Sequence, residues 1–246
     1  MEMRGRVYAK YIICCLMSLM VFGGMMGAFA DSYNPSEALD KLKSSNVRFS
    51  SGQSTHSNIS AERRKQVTTG GQHPFATIIA CSDSRVPVEI LFDQGVGDIF
   101  VIKVAGNVCN TDEIGSIEYG VDHLSTPVMV VLGHTHCGAC TAVATGAEVH
   151  GCIPDLIAPI GPALEKVQAA HPDLHGKALV SALVEANVWQ AIENLLLRSS
   201  STWERTKDGR VMVVGAVYDI ETGTIKWMGT HPEQDSLISD MKYNVW

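Results

Sequence analysis

Four short apolar segments of the chain predict β-strands that are buried on both faces. Each is rich in β-branched or aromatic residues and is too short for a typical helix. The predicted strands are Phe75–Ala80, Asp98–Val104, Pro127–Leu132 and Arg210–Tyr218. Segments with helical spacing of apolar residues alternate with them, namely Val86–Phe92, Ile114–Leu124, Cys137–Ala147 and Leu179–Leu197. This alternation predicts an α/β fold with a mainly parallel central β-sheet flanked by helices.

The segments on either side of this pattern predict additions to the sheet. Apolar residues recur at helical spacing between Pro35 and Phe49, namely Ala38, Leu39, Leu42 and Val47. Residues 31–60 are therefore predicted to form an N-terminal helical arm ahead of a domain that spans 61–246. Near the end, Asp219–Trp227 predicts a hairpin turn into one further edge strand. Asn110 is predicted to cap the helix that follows it.

The first thirty residues have the composition of a secretory signal peptide. Three basic residues precede a charge-free apolar run from Tyr11 to Ala30. The run ends in Ala28-Phe29-Ala30, which places small residues at the two positions that a signal peptidase reads. We therefore expect cleavage before Asp31 and export to the periplasm. A retained membrane anchor is the alternative, because the run is nearly long enough to span a bilayer, although glycines dilute its second half.

Composition narrows the class of protein and of partner. Hydrophobic residues make up 46% of the chain and charged residues 18%, which favours a globular fold over a disordered or fibrous one. The net charge is −7, and loss of the basic first segment makes the remainder more acidic still. Nucleic acid and anionic membranes are poor partners for such a chain, because both attract basic surfaces.

Five cysteines follow the predicted signal peptide. They are Cys81, Cys109, Cys137, Cys140 and Cys152. An odd number of cysteines cannot all pair in disulfides within one chain, and a chain of this length does not need disulfides to fold. Some of these thiols must therefore have another role.

Polar side chains with metal-binding chemistry follow the first and third predicted strands. C-S-D-S-R begins at Cys81, and G-H-T-H-C-G-A-C begins at Gly133. The carboxyl ends of parallel strands form the crevice in which such sheets bind small molecules. Cys81, His134 and Cys137 offer zinc two thiolates and one imidazole, and a catalytic site with three ligands keeps one position open for water. Alone, these residues are weak evidence, because a buried cysteine usually belongs to the core.

Taken together, the two motifs resemble those of the β-class carbonic anhydrases, since C-S-D-S-R and G-H-x-x-C-G are both intact. The resemblance implies one zinc ion per subunit, held by Cys81, His134 and Cys137. It implies a hydrogen-bonded pair of Asp83 and Arg85 beside the metal. The implied reaction is reversible hydration of carbon dioxide to bicarbonate and a proton by attack of zinc-bound hydroxide. The implied assembly is a homodimer or homotetramer in which the N-terminal arm clasps a neighbour.

The same resemblance implies roles in the substrate pocket. Gln72 matches a glutamine that donates a hydrogen bond to the bound substrate. Phe100 and Tyr119 match positions that line the pocket across a dimer interface. Gly138, which follows the third ligand, is assigned to the same pocket. Val104 is a departure, because many relatives have asparagine there.

The resemblance also bears on the resting state and on the pH dependence. Relatives with a bicarbonate-regulated switch carry tryptophan three residues before the first ligand, where this chain has Ile78. We therefore expect Asp83 to rest beside the metal rather than on it. Two thiolates donate more negative charge than imidazoles do, which weakens the acidification of bound water, so activity is expected to rise toward alkaline pH. His123, His136 and buffer remain open as proton shuttles.

A thiol-disulfide oxidoreductase is the alternative from another class. Cys137 and Cys140 form a C-x-x-C at a predicted helix start, where the helix dipole lowers a thiol pKa. This interpretation leaves the C-S-D-S-R motif unexplained. Cys140 is otherwise expected to be a small core residue.

Two further alternatives retain the zinc site. The same scaffold can hydrolyse carbon disulfide or carbonyl sulfide, and the sequence does not measure the width of the pocket. A purely structural zinc site would need a fourth protein ligand, for which His136 and Cys140 are the candidates.

Overall fold

Within residues 33–239, which are those that the computed structural model describes, five strands form one sheet. The strands are β1 Thr77–Ala80, β2 Phe100–Lys103, β3 Val128–His134, β4 Met212–Tyr218 and β5 Ile225–Gly229. Their order is β2-β1-β3-β4-β5. β5 pairs antiparallel with β4, and the other neighbours are parallel. The predicted α/β fold with a mainly parallel sheet is confirmed.

Ten α-helices in the same part of the chain surround the sheet. They are α1 Pro35–Ser50, α2 Ala61–Gly70, α3 Val88–Leu91, α4 Thr111–Glu118, α5 Gly138–Thr145, α6 Ile153–Ile157, α7 Gly161–Ala170, α8 Gly176–Arg198, α9 Ser200–Lys207 and α10 Gln234–Ser239. A π-helical turn, Tyr119–His123, continues α4. No helix within residues 33–239 is long and apolar enough to cross a bilayer. The predicted signal peptide lies outside the described residues.

Two apolar clusters cover the two faces of the sheet. Side chains alternate along β1, so that Ile79 belongs to one cluster and Ile78 to the other, and both are fully buried. The long helix α8 covers the first face and contributes buried residues such as Leu183 and Val188. Helix α1 contributes to the second face. The inner strands β1, β3 and β4 are thus buried on both sides, as predicted from their apolar sequences. The prediction was wrong for β2, an edge strand that is partly exposed and ends in Lys103.

The predicted N-terminal helix docks on the body of its own chain. Asn34 caps it through a capping box with Glu37. Ala38 and Leu42 are fully buried, whereas Val47, which the helical spacing also suggested for the apolar face, is 64% exposed. Towards the end of α1, the Asn46 side chain donates to two backbone carbonyls and accepts from a backbone N–H of β5. The arm is therefore an integral part of the fold.

A buried carboxylate fastens the end of this arm. Asp93 accepts hydrogen bonds from the Arg48 guanidinium at 2.7 Å, from the backbone N–H groups of Thr55 and His56, and from the Thr55 hydroxyl. Its side chain is fully buried. Burial alone would raise the pKa of Asp93, but the hydrogen bonds outweigh it and hold that pKa well below its usual range.

We expect Asp93→Asn to lower the free energy of unfolding at neutral pH. The loss should lie near the low end of the roughly 3–5 kcal/mol that removing one partner of a buried ion pair costs, because Arg48 is partly exposed. The depressed pKa means that the carboxylate stabilises the fold above its unfolded pKa of about 4, and that this stabilisation fades as the pH falls further. Urea unfolding at neutral and acidic pH should show the two proteins converging in acid. A constant difference would contradict this role of the charge.

The terminal hairpin and the helix cap are confirmed as predicted. The turn begins with the Asp219 side chain accepting from backbone N–H groups and passes through Gly223 in the left-handed region before β5. Asn110 precedes α4, and its N–H donates to Glu113.

The third strand is longer than predicted and ends at His134. This extension places a metal-binding candidate on the strand itself.

Candidate metal centre

Three side chains from two neighbouring strands converge at the carboxyl edge of the sheet. Cys81 directly follows β1, His134 is the last residue of β3, and Cys137 caps α5. β1 and β3 are adjacent and parallel, so their ends lie side by side. One ligand atom from each side chain lies within 4.8 Å of the other two, and all three residues are buried. The structure therefore brings the predicted ligand set together.

The imidazole of His134 is oriented for metal binding. Its Nδ1 lies 2.8 Å from the carbonyl oxygen of Thr135, so this nitrogen carries the proton and donates. The opposite nitrogen, Nε2, is buried and has no hydrogen-bond partner among the described residues. An unpaired polar atom in the interior is costly unless a ligand satisfies it. Nε2 therefore has a free lone pair, which a histidine needs in order to bind a metal.

The pKa values of the two cysteine thiols in the cluster are raised. Hydrogen bonding with the Cys137 thiol, reinforced by burial, raises the pKa of Cys81 to about 12. Hydrogen bonding with the Cys140 thiol, again with burial, raises the pKa of Cys137 to about 11. Without a cation, both thiols therefore stay protonated near neutral pH. Two sulfur donors and one imidazole nitrogen fit zinc, which prefers these ligands in tetrahedral sites.

A carboxylate held by arginine stands next to this cluster. Arg85 donates from Nε to Asp83 Oδ1 at 2.9 Å and from Nη2 to Asp83 Oδ2 at 2.7 Å. The same Nη2 lies 3.2 Å from the carbonyl oxygen of His136, which links the two ligand-bearing loops. These contacts hold the pKa of Asp83 well below its usual range. The predicted pair is thus formed, and Asp83 lies outside the three-residue metal cluster.

Comparison with known proteins places this geometry in a family. A family model described as "Carbonic anhydrase" matches residues 76–225. "Carbonic anhydrase 2" of Mycobacterium tuberculosis is 37% identical over 194 residues, which cover 77% of this chain and 91% of that protein. The chain belongs to the β-class carbonic anhydrase family.

Solved β-carbonic anhydrases share the fold. CafA of Aspergillus fumigatus has a TM-score of 0.66 and 27% identity, and the match covers 85% of this chain and 99% of that one. One of two tetrameric β-carbonic anhydrases from Sordaria macrospora has a TM-score of 0.63 and 25% identity, and the match covers 76% and 94%. The resemblance found in the two motifs therefore extends over most of the chain.

The predicted pocket residues are not all near the metal cluster of their own chain. Phe100 begins β2, whereas Cys81 follows the carboxyl end of the neighbouring β1. The Phe100 ring lies 5.9 Å from that of Tyr119, and both are at least partly exposed. Gln72 is exposed in the loop before β1, and Gly138 is exposed beside the third ligand. Phe100 therefore lies at the end of the strands opposite to the metal cluster of its own chain, with Tyr119 beside it.

The remaining cysteines bear on the alternative functions. Cys140 is almost completely buried on α5, as expected of a core residue, and Cys109 is fully buried. All five cysteines among the described residues are free. A redox-active pair needs an accessible thiol, so the burial of both Cys137 and Cys140 argues against the oxidoreductase interpretation. Neither Cys140 nor the exposed His136 belongs to the metal cluster, which argues against a closed structural site.

Sequence reasoning missed two residues that support the centre. The backbone N–H of Gly106 donates to Cys81 Sγ, and the side chain of Asn187 donates to the carbonyl oxygen of Gly106. Gly106 lies in the V-A-G-N segment, in which the resemblance to the family drew attention to Val104 and not to the glycine. No pattern in the sequence marks Asn187, because its contact spans 81 residues of chain.

Proposed function

We propose that this protein catalyses the zinc-dependent, reversible hydration of carbon dioxide to bicarbonate and a proton. The observation that carries the proposal is the buried cluster of Cys81, His134 and Cys137, with an unpaired imidazole nitrogen and an arginine-held carboxylate beside it. Cys81, His134 and Cys137 would hold the zinc ion, which would supply a hydroxide nucleophile by lowering the pKa of water. The chain's own residues then orient that nucleophile.

Asp83 is proposed to accept a hydrogen bond from the O–H of the nucleophile and so to aim the lone pair of that oxygen at the substrate carbon. Arg85 donates two hydrogen bonds to Oδ1, from its backbone N–H and from Nε, but only one to Oδ2. Oδ2 therefore keeps a lone pair for a further donor. The ion pair also keeps Asp83 ionised across the working pH range. Since Arg85 engages both oxygens, we propose that Asp83 rests beside the metal and not on it.

Stopped-flow measurement of carbon dioxide hydration, with zinc content measured on the same sample, tests this function. We expect about one zinc per chain, loss of activity on chelation and recovery when zinc alone is returned. Activity should rise toward alkaline pH, because two thiolates weaken the acidification of bound water. Turnover of carbon disulfide on the same sample tests the alternative hydrolase. Faster turnover of carbon disulfide than of carbon dioxide would overturn the proposal.

Zinc binding is expected to release two protons near neutral pH. The pKa values of Cys81 and Cys137 lie at about 12 and 11 without metal, and zinc binds the thiolates. The apparent affinity should therefore increase by about 100-fold for each pH unit in this range. Competition with a chromogenic chelator at several pH values measures the slope. A slope near zero would show that the thiols are not the ligands.

We further propose that the active form is a homodimer or homotetramer. The partly exposed Phe100 and the exposed Tyr119 support this, because these residues, which the family resemblance assigns to the pocket, lie away from the metal cluster of their own chain. The Sordaria macrospora relatives are described as tetrameric. Sedimentation velocity should show a species larger than one chain. A monomer that is fully active would contradict the proposal.

Export is proposed as well, with residues 1–30 removed and the mature protein in the periplasm. The basic start, the apolar run and the Ala28-Phe29-Ala30 site support it. N-terminal sequencing of protein recovered from the periplasmic fraction should begin at Asp31. A membrane-bound protein that retains its first residue would show that the segment is an anchor.

A further inference from the structure

The Cys81 sulfur accepts a hydrogen bond from a backbone N–H group. The N–H of Gly106 lies 3.3 Å from Cys81 Sγ, in a buried contact. Gly106 also accepts a hydrogen bond at its carbonyl oxygen, from Asn187 Nδ2 at 2.7 Å. The backbone of one residue therefore connects the amide of Asn187, on α8, with a ligand of the proposed metal.

The turn around Gly106 has no room for a side chain at this position. Gly106 adopts a φ of +75°, in the left-handed region that favours glycine. A Cβ atom at this position would lie 2.9 Å from Ile160 Cδ1 and 3.1 Å from the Cβ of Ala139 on α5. Only glycine therefore fits between these neighbours without displacing them, and a shift of the turn would displace the N–H from the sulfur.

Asn187 reaches this turn from α8, which lies close to the sheet. A Cβ on Gly133 would lie 2.8 Å from Val188 Cγ2, and a Cβ on Gly215 would lie 2.8 Å from Val188 Cγ1. The two strand glycines thus allow α8 to approach the sheet closely, and Gly133 directly precedes the ligand His134. Asn187 is 1% exposed among the apolar residues of α8. Burial of an amide there is costly unless its hydrogen bonds are made, so the contact with Gly106 is a specific one.

We propose that Asn187 is a positioning residue for the metal centre, which holds Gly106 so that its N–H stays on the Cys81 sulfur. This inference rests on the proposed zinc function. A hydrogen bond to a metal-bound thiolate draws electron density from the sulfur and leaves less for the metal. Because two thiolates otherwise weaken the acidification of bound water, this donor preserves the acidity that the reaction needs. Asn187 acts through Gly106 and does not touch the substrate.

Asn187→Leu tests the proposal, with Gln190→Leu as the matched control. Leucine fills a similar volume but cannot donate. Gln190 is a second buried amide on α8, and its side chain donates to Asn194 rather than to the metal loops.

In the cobalt-substituted protein, Asn187→Leu should move the thiolate-to-cobalt charge-transfer band to longer wavelength, because the sulfur becomes more electron-rich. Zinc affinity should fall by about 10-fold, as expected for loss of an outer hydrogen-bond partner. Gln190→Leu should change neither quantity.

The outcomes separate this inference from the function on which it rests. A purely structural role of Asn187 would lower the melting temperature of the metal-free protein and leave the charge-transfer band in place, which would overturn the inference. If Asn187→Leu does not fold, Asn187→Ala removes the donor without risk of overpacking and carries the same expectations. A parent protein that binds cobalt through sulfur but does not hydrate carbon dioxide would refute the proposed function, and the band shift would still test Asn187.

Discussion

Cys81→Ser is expected to leave the protein folded but without tightly bound zinc, and to reduce carbon dioxide hydration to the uncatalysed background. Serine has nearly the same shape as cysteine, but its hydroxyl ionises far less readily and is a poor zinc ligand. The loss of zinc affinity should exceed the roughly 10–100-fold that removal of a partner outside the ligand shell costs. Metal analysis after gel filtration, combined with stopped-flow kinetics, measures both effects.

Cys109→Ser is the matched control for this variant. Cys109 is also a fully buried thiol, and burial raises its pKa, but it lies outside the metal cluster. Its replacement places an unpaired hydroxyl in the core, which should lower stability by about 1–3 kcal/mol without loss of zinc. If both variants lost zinc equally, the effect would reflect core packing. Full zinc content and activity in Cys81→Ser would remove Cys81 from the ligand set.

Asp83→Asn is expected to keep zinc and to lower kcat by about 10²–10³-fold, the range that loss of one preorganised hydrogen bond to the reacting group costs. Asparagine retains the shape of the side chain but not its charge, and its NH₂ group cannot accept a hydrogen bond from the nucleophile. It also breaks the paired hydrogen bonds with Arg85. Because the pKa of Asp83 is depressed, the parent carboxylate is charged throughout the assay range, so the loss should appear at every pH tested.

Asp98→Asn separates the loss of catalysis from the loss of an ion pair. Asp98 pairs with Arg63 at 3.0 Å just before β2 begins, at the edge of the sheet opposite to the metal cluster. Its replacement should lower stability and leave kcat per bound zinc unchanged. A normal kcat in Asp83→Asn would refute the proposed role of Asp83. Loss of zinc from that variant would show instead that the carboxylate is a ligand.

The strands and the three residues of the metal cluster could be predicted from sequence because each depends on local signals. β1 and β3 are apolar on both faces, and the sheet places their ends side by side. The motifs at Cys81 and Gly133 then supply chemistry at those ends. Strand boundaries were predicted less accurately, and β1, β2 and β4 each begin two residues later than predicted. β3 continues two residues beyond its predicted end, since a histidine after an apolar run gives no sign that the strand continues through it.

Other elements gave no such signal. Helix α2, Ala61–Gly70, buries none of its residues, so it has no apolar periodicity to detect. The docking of Asn46 on residues near Leu91 and Gly223 depends on contacts between distant parts of the chain. The hydrogen bond from Asn187 to Gly106 has the same character. Contacts of this kind follow from the packed fold and are not encoded in spacing along the sequence.

Zinc K-edge X-ray absorption of the purified protein measures the ligands of the metal most directly. Two thiolates, one imidazole and one exchangeable position predict two sulfur neighbours at about 2.3 Å and two lighter neighbours at about 2.0–2.1 Å. Cys81→Ser should lose this signal, and Cys109→Ser should retain it. A zinc shell without sulfur, or one with three or more sulfur neighbours, would contradict a catalytic centre built from Cys81, His134 and Cys137.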